Sequence, residues 1–210
     1  MLRGKCRYCH KPISAQYPIV ELAVTAYFIG SYLLWPFELS GIHAWIDFGL
    51  WLAAGVGLAI LFVYDLRWYL LPDKVVWPLV VLGVVDFINQ AIWQQWGIGT
   101  VAAEAALAII AIAGVYYVLH LVSKGKWVGF GDVKLGLFMG LALGWKAAII
   151  CLLAANVIGC LIIIPGLLTG RLKRDSKIPF GPLLIGGFVV AGLFGNQIFD
   201  WYTQLTLLAS

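Results

Sequence analysis

Stretches of about twenty apolar residues, each nearly free of charge, recur along this chain and limit its fold more than any other feature. A helix needs about 20 such residues to cross a bilayer, and a soluble core has no room for six of them. By that measure membrane spans are expected at 18–36, 44–64, 74–94, 100–122, 146–168 and 181–201. A shorter apolar stretch at 132–144 crosses if it is tilted or if its start lies inside the protein, and it brings the number to about seven. Of the 210 residues, 62% are apolar and 11% charged, against about 25% charged in a soluble domain. The expected fold is therefore all-α, a polytopic transmembrane helix bundle, with a short cysteine-containing tail at 1–16 ahead of a membrane domain at 17–210. The first apolar run is too long for a signal h-region and no small-residue cleavage site follows it, so it is read as a retained span.

The cations order these spans. With seven crossings, Arg3, Lys5, Arg7, Lys11, Arg67, Lys74, Lys124, Lys126, Lys134, Arg171, Lys173, Arg174 and Lys177 share one side, and only Lys146 falls opposite. The positive-inside rule makes the rich side cytoplasmic, with the N-terminus in and the C-terminus out. Omitting the short span would throw Arg171 to Lys177 onto the wrong side. The net charge of +4 is thus a matter of topology. No basic stripe lies on an amphipathic helix and no like-charge tail is present, so nucleic acid is not an expected partner. The lipid bilayer is.

Ten acidic residues remain to be explained. Glu38, Asp47, Asp175 and Asp200 read as solvated positions in or near loops. Asp73 follows Pro72 and precedes an apolar run, which suits a helix N-cap. Glu21, Asp86 and Glu104 interrupt apolar runs, where an ionisable group costs several kcal/mol unless paired; a hydrogen bond that fixes helix packing is the plain reading of Glu21 and Glu104. Asp65 and Asp132 differ. Asp65 closes the second span in Tyr64-Asp65-Leu66-Arg67, and Asp132 opens the short span in Gly129-Phe130-Gly131-Asp132. The topology puts both at one depth, at the cytoplasmic ends of different helices. Two carboxylates close together in a poorly solvated site cannot both ionise, and such a pair holds one proton between them. The ionised member accepts a proton from water as the water attacks an amide, and the protonated member hydrogen-bonds the carbonyl oxygen. Gly129 and Gly131 are expected to let the chain before Asp132 leave helical geometry and admit another backbone. A plain Gly-rich turn capped by Asp132 is the competing reading of that tetrapeptide alone.

At these residues the chain resembles a bacterial prepilin peptidase, a member of the G-x-G-D class of membrane aspartic peptidases. The resemblance runs through Cys6-Arg7-Tyr8-Cys9, Ile13-Ser14-Ala15-Gln16-Tyr17-Pro18-Ile19-Val20-Glu21, Asp65 with Leu70-Leu71-Pro72-Asp73, Gly129-Phe130-Gly131-Asp132-Val133-Lys134, and Ile178-Pro179-Phe180-Gly181-Pro182. It implies that Asp65 and Asp132 are the catalytic pair and that no cofactor is needed for proteolysis. It implies as substrate the N-terminal leader of type IV prepilins or pseudopilins, cut at the cytoplasmic side of the bacterial inner membrane. Relatives usually carry a further span and a first C-x-x-C ahead of the position where this chain starts. Many also methylate the new pilin N-terminus with S-adenosylmethionine, and that activity is not carried over here.

Cys6 and Cys9 with His10 spell a c-type haem attachment pattern, but the surrounding cations place the tail in the cytoplasm, where that attachment does not occur. A zinc half-site at Cys6 and Cys9 fits better, since paired C-x-x-C knuckles complete a tetrahedron and two cysteines supply half of one. Cys151 and Cys160 read as packing residues. Two other functions compete with the peptidase. One is a G-x-G-D protease of signal-peptide or presenilin type. The other is a small transporter relaying protons through Asp86, Glu104 and the Asp pair. The sequence does not specify an oligomeric state.

Overall fold

The computed structural model describes residues 7–9, 11, 14–170 and 178–208, with the side chains of the last two left aside. Every regular element among them is helical: α1 (Gln16–Leu34), α2 (Gly41–Trp68), α3 (Asp73–Trp93), α4 (Ile98–Ile109), α5 (Val115–Ser123), α6 (Phe130–Leu168) and α7 (Gly181–Leu208). A π-helical turn, Ile110–Gly114, joins α4 to α5 in one continuous helix. Among the described residues six helices are long and apolar enough to cross a membrane. The chain divides into two compact units, Met1–Trp35 and Pro36–Ser210. The first unit contributes α1, and the second holds everything that follows.

α6 reconciles six helices with about seven spans. At 39 residues it would reach about 58 Å, roughly twice the hydrocarbon thickness of a bilayer. Gly144 breaks it, with φ 69° and ψ 165°, a conformation open almost only to glycine. The two arms then lie differently on α7. On the first arm the Phe138 ring packs on Phe188 at 5.3 Å, and Gly131 and Gly181 share Leu71 as a neighbour, so this arm runs parallel to α7. On the second arm Ala147 meets Gly195, Cys151 and Ala155 meet Gly187, and Gly159 meets Leu183, so this arm runs antiparallel. The chain turns back on itself at Gly144, and the short apolar stretch forms an arm of its own.

Small residues allow these helices to approach, as is usual where lipid supplies no hydrophobic drive between them. A Cβ on Gly136 would lie 2.9 Å from Ile112, one on Gly83 3.1 Å from Phe138, and one on Gly57 2.8 Å from Leu79. The core of the second unit gathers around Leu58, Leu61, Val76, Ile112, Tyr116, Leu135, Phe138, Met139, Leu184 and Phe188, each at most 2% exposed.

Candidate active site

The loop between α2 and α3 builds one end of this unit. α2 ends on Tyr69 in the left-handed region (φ 52°), whose N–H bonds the Asp65 carbonyl. That cap reverses the chain within four residues and carries Leu71 into the interior, where it is 8% exposed. Leu71 fills the gap between the segments that hold the two aspartates. A Cβ on Gly131 would stand 3.0 Å from its Cβ, and one on Gly181 3.3 Å from its Cδ2.

Asp65 lies in the last turn of α2 and Asp132 in the first turn of α6, exposed by only 6% and 8%. Each has an oxygen fixed by a glycine backbone. The Gly181 N–H, at the N-terminus of α7, donates to Asp65 Oδ2 at 2.9 Å. The Gly129 N–H, at the N-terminus of α6, donates to Asp132 Oδ2 at 3.1 Å. Helix N-termini present unpaired N–H groups and a positive dipole end, so both carboxylates sit where negative charge is favoured. Among the described residues no hydrogen bond joins the two carboxyls, yet they stand close enough for charge on Asp65 to act on Asp132. The depth inferred from the cations thus brings both aspartates to one end of the unit.

Four local expectations need correction. Asp132 is not the N-cap of α6: Gly129 is, and Asp132 reaches back to it from the third helical position. Of the two glycines before Asp132, only Gly131 makes room for a neighbour; it is itself helical, and the neighbour is the Leu71 side chain rather than backbone. Asp73 caps nothing. It occupies the first turn of α3 and accepts from Lys134 Nζ at 2.7 and 2.9 Å, tying α3 to the helix that carries Asp132. Asp47 is not a loop residue: it lies in α2, 8% exposed, in contact with the Asp86 carboxyl of α3.

That second acidic pair lies at the opposite end of α2 and α3, beside His43 and Asn89, which exchange bonds of 2.8 and 3.1 Å. Gln90 Nε2 donates to Asp86 Oδ2 at 3.1 Å. Glu104, the other acid of the transporter reading, is half-buried. Cys9 is an exposed free thiol, and Cys6 lies outside the described residues. Among the described residues no group of three or more His, Cys, Asp or Glu side chains is arranged to hold a metal ion.

Comparison with known proteins bears on the same segments. Residues 52–164, which carry both aspartates, match the model of the type IV leader peptidase family. Residues 1–35 match the bacterial peptidase A24 N-terminal domain. The chain belongs to the type IV leader peptidase family. Among its relatives is a protein of Burkholderia pseudomallei (strain 1026b), 34% identical over 204 residues, covering 94% of this chain and 61% of the relative. Another, from Aeromonas hydrophila, is 33% identical over 202 residues, covering 96% and 66%. A third, from Bacillus subtilis (strain 168), is 28% identical over 205 residues, covering 98% and 77%. All three are named prepilin leader peptidase/N-methyltransferase. The chain spans less than two thirds of the length of the first of these relatives. No solved structure matches it.

Proposed function

We propose that this protein is a membrane aspartic endopeptidase that removes the cytoplasmic leader of type IV prepilins or pseudopilins, with Asp65 and Asp132 as its catalytic pair. One observation carries the reading. In a chain of this family, two buried aspartates from different helices meet at one end of the bundle, each steadied by a glycine N–H. One oxygen of each carboxyl is committed to the backbone, which fixes orientation and leaves the other for chemistry. The ionised member accepts a proton from water as it attacks the scissile carbonyl. The protonated member donates to the carbonyl oxygen; the proton taken from water then passes to the leaving amine as the C–N bond breaks, and the tetrahedral hydroxyl returns its proton to the pair. The two act as one titrating unit, so neither is assigned a fixed role. Hydrolysis needs no cofactor on this account, and methyl transfer is no part of it.

The cation bias supports a cytoplasmic position for this end of the unit, and a bacterial inner membrane there is where a leader preceding a pilin's apolar helix would present itself. The transporter reading has less support. Its mid-chain acid, Asp86, is paired with Asp47 at the far end, away from Asp65 and Asp132.

The test is co-expression with candidate prepilins, reading leader removal by gel shift and intact mass. The parent protein removes the leader. Asp65→Asn and Asp132→Asn each abolish removal while still inserting in the membrane. Cleavage above a few per cent of the parent in either variant removes that residue from the pair.

A further inference from the structure

Tyr116 is among the most deeply buried large side chains, at 2% exposure, and its hydroxyl has no hydrogen-bond partner among the described residues. Buried tyrosine hydroxyls usually find a partner, and an unsatisfied one calls for an explanation. Its neighbours Tyr117 and Val118 are 46% and 57% exposed, so the helix turns this one residue inward.

Register places it. Gly140 of α6 packs on Ala108, and Gly136 on Ile112 and Ala113. Four residues back along α6 are matched by four forward on the facing helix, and the next such step brings Asp132 level with Tyr116. The π-helical turn Ile110–Gly114 ends two residues before Tyr116. Such a turn adds a residue and so changes the face that follows, and it recurs at functional sites. The ring is held edge-on against Phe180 at 5.3 Å, next to Gly181, whose N–H fixes Asp65. Of the ionisable groups around it, Cys151 and then Asp132 lie near enough for their charge to reach the hydroxyl. The Cys151 thiol is itself directed to the Leu184 carbonyl at 3.9 Å, which leaves Asp132 as the acceptor to hand.

We propose that Tyr116 is a positioning residue of the site, its hydroxyl donating to the Asp132 carboxylate when the pair engages a substrate. The inference rests on the aspartic reading of Asp65 and Asp132. Among the described residues Gly129 alone holds Asp132 in the unengaged molecule, and the tyrosine is a donor in reserve. When the carboxyls close on a peptide, a second donor from the opposite side fixes the plane of Asp132 against its partner.

The test is Tyr116→Phe in the full chain, purified in lipid, with a prepilin as substrate. The turnover number falls roughly ten- to a hundred-fold, the worth of one hydrogen bond to a charged group, while KM stays within about twofold. The thermal midpoint does not fall, because phenylalanine removes an unpaired buried hydroxyl and keeps the ring on Phe180. Parental turnover overturns the proposal. So does a loss of turnover accompanied by a lower midpoint, which marks a packing role, or one shared equally with KM, which marks substrate binding. Asp65→Asn and Asp132→Asn run alongside. If they still cleave, the aspartic reading fails and the role of Tyr116 falls with it; if they are dead and Tyr116→Phe is parental, only the role of Tyr116 falls.

Discussion

α2 carries an aspartate near each of its ends, and the two have opposite arrangements. Asp65 is joined with Asp132 across the mouth of the α2–α3 loop, and both carboxyls bond to glycine N–H groups rather than to each other. Asp47 lies close enough to Asp86 for the two carboxyls to act on each other, and Gln90 donates to Asp86 Oδ2. Both pairs are more than nine-tenths buried, so burial alone does not tell them apart. The partners do. Asp86, bonded by the Gln90 side chain and set beside Asp47, ties α3 to α2. Carboxyls held apart by backbone donors keep an oxygen each for water and a peptide. The backbone donors also lie at helix N-termini, where charge is stabilised with no other side chain required.

The largest effect, short of removing an aspartate, is expected at Gly181. A Cβ there would stand 2.8 Å from Asp65 Oδ2, closer than real contacts allow. Gly181→Ala should therefore displace the carboxyl and lower cleavage by about a hundred-fold, the scale of a misplacement near 1 Å. Alanine favours helix over glycine by about 1 kcal/mol, so thermal stability should not fall in parallel. A variant that cleaves like the parent would show that Asp65 does not depend on this backbone contact, and the contrast between the two pairs would lose one of its supports.

Asp73→Asn should do least. Its bond to Lys134 is an ion pair with Asp73 59% exposed, and such pairs are worth about 0–1 kcal/mol. Cleavage within about threefold of the parent is expected, measured with the same prepilin assay. A dead Asp73→Asn beside an active Asp65→Asn would mean that the site uses the exposed acid and not the buried one.

The sequence made the apolar spans, the helices and the placing of Asp65 and Asp132 at one end of the unit legible, because apolar length, cation placement and motif spacing are local signals. The separate arm at 132–144 was legible for the same reason, since the cations before and after it set it apart. What stayed hidden depends on which helix faces which. Asp47 looks solvated in sequence because it lies early in an apolar run, and only packing against α3 shows it buried with Asp86. Asp73 satisfies every local rule for a cap, yet Lys134 arrives from 61 positions away and takes its side chain. Tyr116 carries no sequence signal at all among nine tyrosines; the π-helical turn before it and the glycines opposite select it. Gly181 was legible as part of a motif, but its role as the donor to Asp65 needs the fold.

The account stands or falls on which acids the chemistry uses. The direct measurement is leader cleavage by four single variants under one set of conditions: Asp65→Asn, Asp132→Asn, Asp47→Asn and Asp86→Asn, each checked for membrane insertion. Cleavage should vanish in the first two and stay within about threefold of the parent in the last two, because Asn keeps the shape and an acceptor at that pair. Dead Asp47→Asn and Asp86→Asn variants beside active Asp65→Asn and Asp132→Asn ones would contradict the account and move the site to the other end of α2.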